Sequence, residues 1–374
     1  MQVIAVLPQG LEEEGAKELV QLGAQSVKAL RRSVSFEADM SCFYRLHLQS
    51  RLPFRFLREM ARFHCDGPES LYAAIQNCVD WEKWLHPSMS FRVDVSGRCI
   101  GLTHSHFTAL QVKNALVDLQ RSIWKERSNV EIDNPDLCLH LHLNKSGGIL
   151  SLDSSAWSLH RRGYRSAMGD APLKENLAAG LVKITGWDGS VPLVDPLCGS
   201  GTLLIEAVSA AIGLAPGLNQ SFLFEGWADF DLELWQEQKK LAKSSFCSQK
   251  KLPLIVGCEQ DPYIAEQAKS NIKAAGLQEF INIQNTHFKE VVFPNEKGVV
   301  LCNPPYGKRI GLDSNLKVLY SDLSNFIKNN ASGWTFWLLN GNKELSNSIC
   351  MKASIRFPVS NGGIDCRWLK YVIY

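Results

Sequence analysis

The chain has 374 residues, of which 45% are hydrophobic and 21% charged, and its formal net charge is +2. No apolar run approaches the roughly 20 residues of a membrane helix, and the start, MQVIAVLPQG, lacks the basic lead of an export signal. Eleven cysteines without a Cys-x-x-Cys pair favour reduced thiols in the cytoplasm over a disulfide framework. The two His-x-His pairs have no further ligand at a suitable spacing, so we expect no metal site.

The first part of the chain predicts two small α+β units. Residues 1–50 give strand, helix, strand and strand, which is a ferredoxin-like pattern. Residues 51–160 predict a helix with Trp81 and Trp84 as core anchors, and then several strands around the long helix FTALQVKNALVDLQRSIWKE. Thr103 or Ser105 is the expected N-cap of that helix.

Arginine is unevenly distributed, because residues 1–170 hold 14 of the 17 arginines. Guanidinium groups suit phosphate contacts and base stacking. The segment HRRGYR precedes the second half of the chain. Its arginines Arg161, Arg162 and Arg165 are candidate RNA contacts, and docking between domains is the alternative. A second cluster has two interpretations, RNA contact or solvated surface: Arg51, Arg55, Arg58 and Arg62.

The second half, residues 166–374, predicts a Rossmann-like α/β sheet. VDPLCGSGT reads as a buried strand that ends at Asp195, a turn with Gly199 and Gly201, and then a helix that begins at Thr202. Residues without a side chain allow a cofactor to approach the backbone. Nucleotide binding in general, NAD included, and a purely structural turn are alternatives for this motif.

A second acidic position follows the next predicted strand. Glu259 ends LPLIVGCE, where an acidic side chain is placed to bind ribose hydroxyls. Its distance along the chain from Asp195 exceeds the roughly 20 residues of a dinucleotide fold, because residues 213–251 interrupt the βαβ unit. That spacing disfavours NAD, and we expect the interruption to form an outer helix rather than a lid.

The motif LCNPPYG is the more specific signal. Pro304 and Pro305 restrict the residues before them to extended backbone and cannot donate backbone hydrogen bonds. The Asn303 side-chain oxygen and the Pro304 carbonyl are then two fixed acceptors for one amine, and Tyr306 offers a face for stacking a base. The motif therefore predicts a site for a planar exocyclic amine, with a proline-rich turn as the alternative.

The end of the chain predicts an antiparallel addition to the sheet. GWTFWLLNG is typical of a buried strand, and Asn361, Gly362 and Gly363 lie between two alternating runs. This pattern indicates a hairpin. A hairpin that closes a parallel α/β sheet fits a methyltransferase better than a dehydrogenase.

Taken in order, these segments resemble the THUMP-domain RNA guanine N2-methyltransferases, in particular those that act on bacterial large-subunit 23S ribosomal RNA. The similarity covers essentially the whole chain and is carried by GLEEEGAKEL, RCIGLTHSHFTALQVKNALVD, SLDSSAWSLHRRGYR, APLKENLAAGLV, VDPLCGSGTLLIEA, LCNPPYG and GGIDCRWLKY. It implies RNA-binding ferredoxin-like and THUMP domains and a Rossmann-like class I domain that binds S-adenosylmethionine. Some relatives carry a second methyltransferase domain, which we do not expect here.

The resemblance also implies site residues. Base contacts are expected from Asn303, Pro304, Pro305 and Tyr306. Cofactor contacts are expected from Pro172, Leu173, Asp195, Cys198, Gly199, Gly201, Glu259 and Asn303. Where the family usually has an aspartate that accepts from the adenine amine, this chain has His287, and a neutral imidazole nitrogen is the expected acceptor.

One main hypothesis and four alternatives remain open from the sequence. A 23S rRNA guanine N2-methyltransferase is the main hypothesis, and a tRNA guanine N2-methyltransferase shares its motifs. An adenine N6-methyltransferase would also use Asn-Pro-Pro-Tyr. A non-catalytic RNA-binding ribosome-assembly factor and an NAD oxidoreductase are less consistent with the two intact motifs.

Overall fold

The structure is a computed structural model that describes residues 1–145, 147–155, 157–165, 173–247, 250–306 and 314–374. The strands are β1 Gln2–Val6, β2 Gln25–Leu30, β3 Ser33–Glu37, β4 Arg55–Phe63, β5 Ser90–Gly97, β6 Asn129–Val130, β7 Leu137–Asn144, β8 Gly147–Asp153, β9 Leu193–Asp195, β10 Ile255–Cys258, β11 Asn282–Gln284, β12 Val299–Cys302, β13 Thr335–Asn340, β14 Ile355–Asn361 and β15 Ile364–Val372. The helices are α1 Glu12–Gln21, α2 Met40–Gln49, α3 Pro68–Asn77, α4 Trp81–Trp84, α5 Ser105–Trp124, α6 Glu175–Thr185, α7 Thr202–Ala211, α8 Leu232–Ser244, α9 Pro262–Ala274, α10 Ser314–Asn330 and α11 Lys343–Ser346.

One sheet runs through the whole first half, in the strand order β2-β3-β1-β4-β8-β7-β5-β6. The elements β1 to β4 with α1 and α2 form a ferredoxin-like βαββαβ unit, as predicted. β4 pairs with β1 on one side and with β8 on the other, so the two predicted units share a continuous sheet. The expected boundary at residue 50 falls just before this shared strand.

The second unit packs its helices against the far end of that sheet. Trp81 and Trp84 are both buried, which confirms their role as core anchors. The predicted N-cap of α5 was wrong. His104 is the capping residue, because its backbone is extended and its Nδ1 accepts a hydrogen bond from the Phe107 amide at 3.4 Å.

The second half forms a seven-stranded sheet in the order β11-β10-β9-β12-β13-β15-β14. The pairs from β11 to β13 are parallel, whereas β15 is antiparallel to both of its neighbours. Apolar residues of α6, α7 and α9 cover one face, and those of α10 and α11 cover the other. The Rossmann-like fold and the closing hairpin are therefore confirmed, with Gly362 and Gly363 at positive φ in the turn.

The interruption at residues 213–251 contains α8, as predicted, but its role is to join the two halves. α8 packs on α2, and Phe224, Trp227 and Trp235 belong to the core of the N-terminal half. The Arg58 guanidinium lies 5.2 Å from the Trp84 ring centroid and 5.7 Å from that of Trp227. Among the described helices, none combines the length and apolar content needed to cross a bilayer.

Candidate active site

Three predicted site residues meet at the carboxyl edge of the second sheet. Asp195 ends β9, Glu259 follows β10 and Asn303 follows β12. These strands are neighbours, with β9 in the centre, as the pairings of Asp195 with Gly257 and of Val194 with Val300 show. Since adjacent strands lie about 4.8 Å apart, the outer two residues are separated by about 10 Å across the sheet.

The turn after β9 has the geometry of a backbone cradle. Gly199 has φ of 51° and Gly201 has φ of 80°, which side-chain-bearing residues rarely adopt. The Cys198 amide donates to the Cys258 carbonyl and the Gly201 amide to the Cys198 carbonyl, both at 2.9 Å, so the turn is fixed to β10. A Cβ at Gly199 would meet no described atom within 4 Å. A ligand can therefore approach the backbone at Gly199.

The acidic pair at this edge has a distinctive electrostatic setting. Burial, with a smaller contribution from the Glu259 charge, raises the pKa of the Asp195 carboxyl to about 8, although the Leu197 amide that donates to it acts in the opposite direction. Glu259 is half-buried, and its Oε1 accepts a hydrogen bond from the Asp261 amide at 2.9 Å. A cationic group at this edge would favour the ionised form of Asp195.

Asn303 carries an unsatisfied acceptor. Its Oδ1 is buried and has no hydrogen-bond partner within the part of the chain that the structure describes. An unpaired buried polar atom costs about 1–3 kcal/mol, so it indicates a missing partner. Pro304 beside it is buried and Pro305 is exposed. The orphaned oxygen fits an amine that arrives with a substrate.

Tyr306 is held from the neighbouring strand and from the hairpin. The Asn361 side-chain amide donates to its hydroxyl oxygen at 2.6 Å. Its ring packs so closely on Gly341 that a Cβ there would lie 2.8 Å from Cδ2. The sequence reasoning assigned Asn361 only to the turn and overlooked Gly341. An asparagine beside two turn glycines is a common turn signal, so nothing local distinguished its second role.

His287 lies at the same edge but does not offer the predicted acceptor. Its Nδ1 already accepts a hydrogen bond from the Lys289 amide at 3.2 Å. In a neutral imidazole with Nδ1 as acceptor, Nε2 carries the proton and donates. The expectation that His287 accepts from the adenine amine is therefore corrected, because in this geometry its remaining nitrogen suits a ring acceptor.

The arginines of the linker are placed differently from one another. Arg161 is exposed, whereas the Arg162 side chain is only 5% exposed and faces Glu206, with 3.8 Å between Nε and Oε1. Arg162 also donates to the backbone carbonyls of Leu159 and Arg51. The expected RNA contact of Arg162 is corrected to a docking role, since its donors point into the protein.

Arg165 takes a similar buried position. It pairs with Glu175 at 3.1 Å and donates to the Leu173 carbonyl at 2.5 Å and to the Thr202 hydroxyl at 2.8 Å. Burial raises the pKa of the Glu175 carboxyl, and the Arg165 charge acts in the opposite direction. Arg165 is thus also corrected from RNA contact to docking. Leu173 is buried and touches this network, while Pro172 lies outside the described residues.

The arginines of the second cluster also form hydrogen bonds or ion pairs with other residues of the protein. Arg51 donates to the carbonyls of Ser209 and Leu214 in the second half. The other three pair with carboxylates, in order Asp153 for Arg55, Asp229 for Arg58 and Glu59 for Arg62. The residues Glu175 and Glu206 were missed from the sequence, although a carboxylate within the apolar run of α7 is a usable signal of a buried partner.

The described residues bring together no group of three or more histidine, cysteine or acidic side chains that could hold a metal ion. The site residues do fit S-adenosylmethionine, because an open glycine backbone, two carboxylates and an orphaned amide oxygen meet at one edge. Together with the sheet order, this edge defines the class I methyltransferases, in which a parallel α/β sheet binds the methyl donor at its carboxyl ends.

Comparison with known proteins identifies the family. The model of the RlmL ferredoxin-like domain matches residues 2–57, that of the THUMP domain matches residues 68–153, and that of the RMKL-like methyltransferase domain matches residues 162–370. The chain belongs to the RlmL-like, THUMP-containing family of S-adenosylmethionine-dependent RNA methyltransferases. The family and cofactor expected from the sequence are thereby confirmed.

Two curated relatives align along nearly the whole chain. "Putative RNA methyltransferase slr0064" from Synechocystis sp. is 42% identical and covers 99% of this chain and 96% of the relative. "Ribosomal RNA large subunit methyltransferase K/L" from Syntrophotalea carbinolica is 36% identical and covers 99% of this chain but 53% of the relative. The chain thus spans about half the length of the K/L methyltransferases that it matches.

Solved structures show the same architecture. A possible methylase from Clostridium difficile 630 superposes with a TM-score of 0.91 at 26% identity and covers all of this chain and 98% of its own. A predicted N6-adenine-specific DNA methylase from Listeria monocytogenes has a TM-score of 0.88 at 27% identity, with 100% and 96% coverage. The arrangement of both halves is therefore shared with these proteins.

Proposed function

We propose that the protein transfers a methyl group from S-adenosylmethionine to the exocyclic N2 amine of a guanine in 23S ribosomal RNA. The buried, unpaired Oδ1 of Asn303 carries this proposal. With the Pro304 carbonyl it provides two acceptors for the two hydrogens of one amine. The K/L relatives are ribosomal RNA large subunit methyltransferases by name, which favours ribosomal RNA, and we infer cytoplasmic ribosome precursors as the substrate pool.

The bound cofactor supplies an electrophilic methyl group on a sulfonium. The chain's own residues must hold it and align the amine for in-line attack. We assign the amino acid and ribose portions to the open backbone at Gly199, the Asp195 carboxyl and Glu259, a role that their position at the carboxyl edge of the sheet supports. Pro172, Cys198 and Gly201 complete the proposed cofactor contacts from the family resemblance.

Asn303 acts on the nucleophile. The lone pair of the guanine amine is delocalised into the ring, so the planar amine is a poor nucleophile. Hydrogen bonds from both amine hydrogens to Asn303 and the Pro304 carbonyl favour pyramidal nitrogen and stabilise the positive charge that develops on it. As the nitrogen–carbon bond forms, the sulfur–carbon bond breaks and the sulfonium would leave as a neutral thioether. No strong base is required, because the cationic methylated amine is acidic enough to lose its proton to water after transfer.

Tyr306 and Pro305 are the proposed contacts of the base. A base must leave its stack to reach this edge, and unstacking costs a few kcal/mol. Stacking on an aromatic ring returns about 1–3 kcal/mol. The Asn361 bond and the Gly341 contact fix the Tyr306 ring, so the platform is formed before the base arrives.

Nucleoside analysis tests the proposal. Purified protein, S-adenosylmethionine and 23S rRNA transcript should yield N2-methylguanosine by mass spectrometry, whereas a tRNA pool should yield much less. N6-methyladenosine as the product would instead support the second candidate, an adenine N6-methyltransferase, which the similarity to the Listeria N6-adenine-specific methylase favours. Cofactor binding without transfer to either RNA would contradict both.

A further inference from the structure

A groove of about 1020 Å³ lies between the ferredoxin-like unit and the C-terminal hairpin. Arg31 and the turn that contains Gln9 line one side of the groove, and Arg356 and Arg367 of the hairpin line the other. Lys343, the first residue of α11, also lines the groove, just after β13 ends. The volume is at the upper limit of typical small-molecule pockets. The groove therefore has room for more than a single small group.

A close backbone contact fixes the two walls of this groove. The Ser360 amide donates to the Gln9 carbonyl at 3.1 Å. Gly10 has φ of 94°, and a Cβ there would fall 2.3 Å from the Pro358 carbonyl oxygen. A glycine is required at this approach. The distance between the two walls is thus set by the fold.

The side chains in the groove leave a positive surface. Arg31, Lys343, Arg356 and Arg367 are all exposed, and no ion pair joins any of them to another residue of the described chain. Two carboxylates also line the groove, Glu12 and Asp365. Glu12 already accepts hydrogen bonds from the backbone amides of Gly10 and Arg32.

The hairpin register places its two arginines together. Arg367 lies opposite Pro358, and Arg356 is two residues from Pro358 on the same strand. Residues two apart on a strand, and residues directly opposite across a pair, share one face of the sheet. Arg356 and Arg367 are therefore diagonal neighbours on one face of the hairpin, where their two positive charges lie side by side.

The groove borders the base site. Gly341 lines the groove, and the same residue forms the close contact with the Tyr306 ring. Cys366, another lining residue, also faces that contact, with its Sγ 3.1 Å from a Cβ at Gly341. The proposed stacking platform and the groove thus share a wall.

We propose that this groove binds the sugar-phosphate backbone of the RNA strand that flanks the target base, an inference that rests on the proposed function. A base that leaves its stack at Tyr306 carries its neighbouring phosphates past this edge. Exposed guanidinium groups bind phosphates without reading sequence. The groove therefore fixes the direction in which the strand leaves the active site.

The salt dependence of RNA binding tests the groove. The probe is a 12-nucleotide single-stranded RNA with one guanine, and the variant is R356Q/R367Q. Removing one arginine–phosphate interaction lowers the slope of log affinity against log salt by about 0.7, so the slope should fall by about 1.4. The matched control K240Q/K243Q removes two exposed charges from α8, outside the groove, and should leave the slope closer to wild type.

A parallel methylation assay separates the two proposals. With 23S rRNA transcript, R356Q/R367Q should raise the KM for RNA, while its Kd for S-adenosylmethionine and its melting temperature match the control. If R356Q/R367Q keeps the wild-type slope of log affinity against log salt while the wild-type protein methylates RNA, the groove proposal is overturned and the proposed function stands. A reduced slope with a wild-type protein that transfers no methyl to RNA would overturn the proposed function and support the groove.

Discussion

Two buried polar clusters in this protein differ in how their charges and acceptors are matched. At the seam between the halves, Arg162 and Arg165 face Glu206 and Glu175 and also donate to backbone carbonyls. At the sheet edge, the Asn303 Oδ1 has no described partner. Each seam carboxylate also keeps one buried oxygen without a described partner, Oε2 of Glu175 and Oε2 of Glu206, but its other oxygen faces a guanidinium. Asn303 Oδ1 is the one acceptor of its side chain, and it is unmatched among the described residues, as expected of a binding site.

The comparison separates residues that the sequence alone treats alike. HRRGYR presents three arginines within five positions, but burial divides them into one exposed side chain and two docked ones. A polar residue's role depends on whether the fold already satisfies it. Substitutions at the two clusters should therefore change different measurable quantities.

The largest effect is expected at the sheet edge. Asn303→Ala should lower kcat by about 10²–10³-fold, because it removes a preorganised acceptor that acts on charge formed in the transition state. The Kd for S-adenosylmethionine should change much less. Single-turnover methyl transfer and calorimetric titration measure the two quantities. Asn303→Asp keeps an acceptor oxygen and should lose less activity, whereas equal losses of turnover and cofactor binding would contradict the assignment.

At the seam, substitution of a buried arginine should instead lower the stability of the fold. Arg162→Ala removes the guanidinium that faces Glu206. Of its described partners, the buried carboxylate then keeps only the Tyr164 hydroxyl and the charge of Arg51. The free energy of unfolding should fall by about 3 kcal/mol, the lower end for a broken buried ion pair. Arg161→Ala is the matched control, since its exposed side chain should change stability by no more than about 0.5 kcal/mol. Chemical denaturation measures both. If Arg161 contacts RNA, its substitution weakens RNA binding alone; equal destabilisation by both variants would contradict the seam.

The third prediction concerns pH at Asp195. Its folded-state pKa of about 8 lies above the unfolded value of 3.8, so the cofactor-free protein holds a proton that the unfolded chain releases. Stability from this group is therefore present at low pH and is lost as the pH rises from about 4 towards 8. Asp195→Asn should flatten that part of the melting profile, and an unchanged profile would contradict a raised pKa.

The same group should couple cofactor binding to proton release. A cationic cofactor favours ionised Asp195, so its affinity should increase as the pH rises, by at most about tenfold per unit below pH 8. Calorimetry in two buffers of different ionisation enthalpy measures the proton released. Asp195→Asn should release none, which distinguishes this group from others that titrate in the range.

The smallest effect is expected at the stacking platform. Asn361→Ala removes the hydrogen bond to the Tyr306 hydroxyl, worth about 1 kcal/mol. The KM for RNA should rise several-fold, with little change in cofactor affinity. Steady-state kinetics with 23S rRNA transcript provides the measurement. Asn330→Ala is the matched control. It removes a hydrogen bond from an exposed asparagine to the Phe326 carbonyl at the end of α10, outside the groove, and should leave the KM unchanged.

The sequence predicted local structure better than it predicted which side chains, distant along the chain, become partners. The succession of main helices and strands along the chain, the glycine turn and the rigid Asn303 motif follow from periodicity and from proline and glycine stereochemistry, which act over a few residues. Partners such as Arg162 with Glu206 are 44 positions apart, and only the folded chain brings them together. His287 shows the same limit, because the Lys289 amide that occupies its Nδ1 is visible only in the turn geometry.

The most direct test of the Asn303 acceptor is to remove the amine that it is proposed to bind. Once the methylated position is mapped, a short RNA carrying that guanosine is compared with one carrying inosine, which lacks the N2 amine. The account predicts full methyl transfer to the guanosine RNA and none to the inosine RNA, with both RNAs bound. Equal methylation of the inosine RNA would show that the methyl group goes to another atom and would contradict the account.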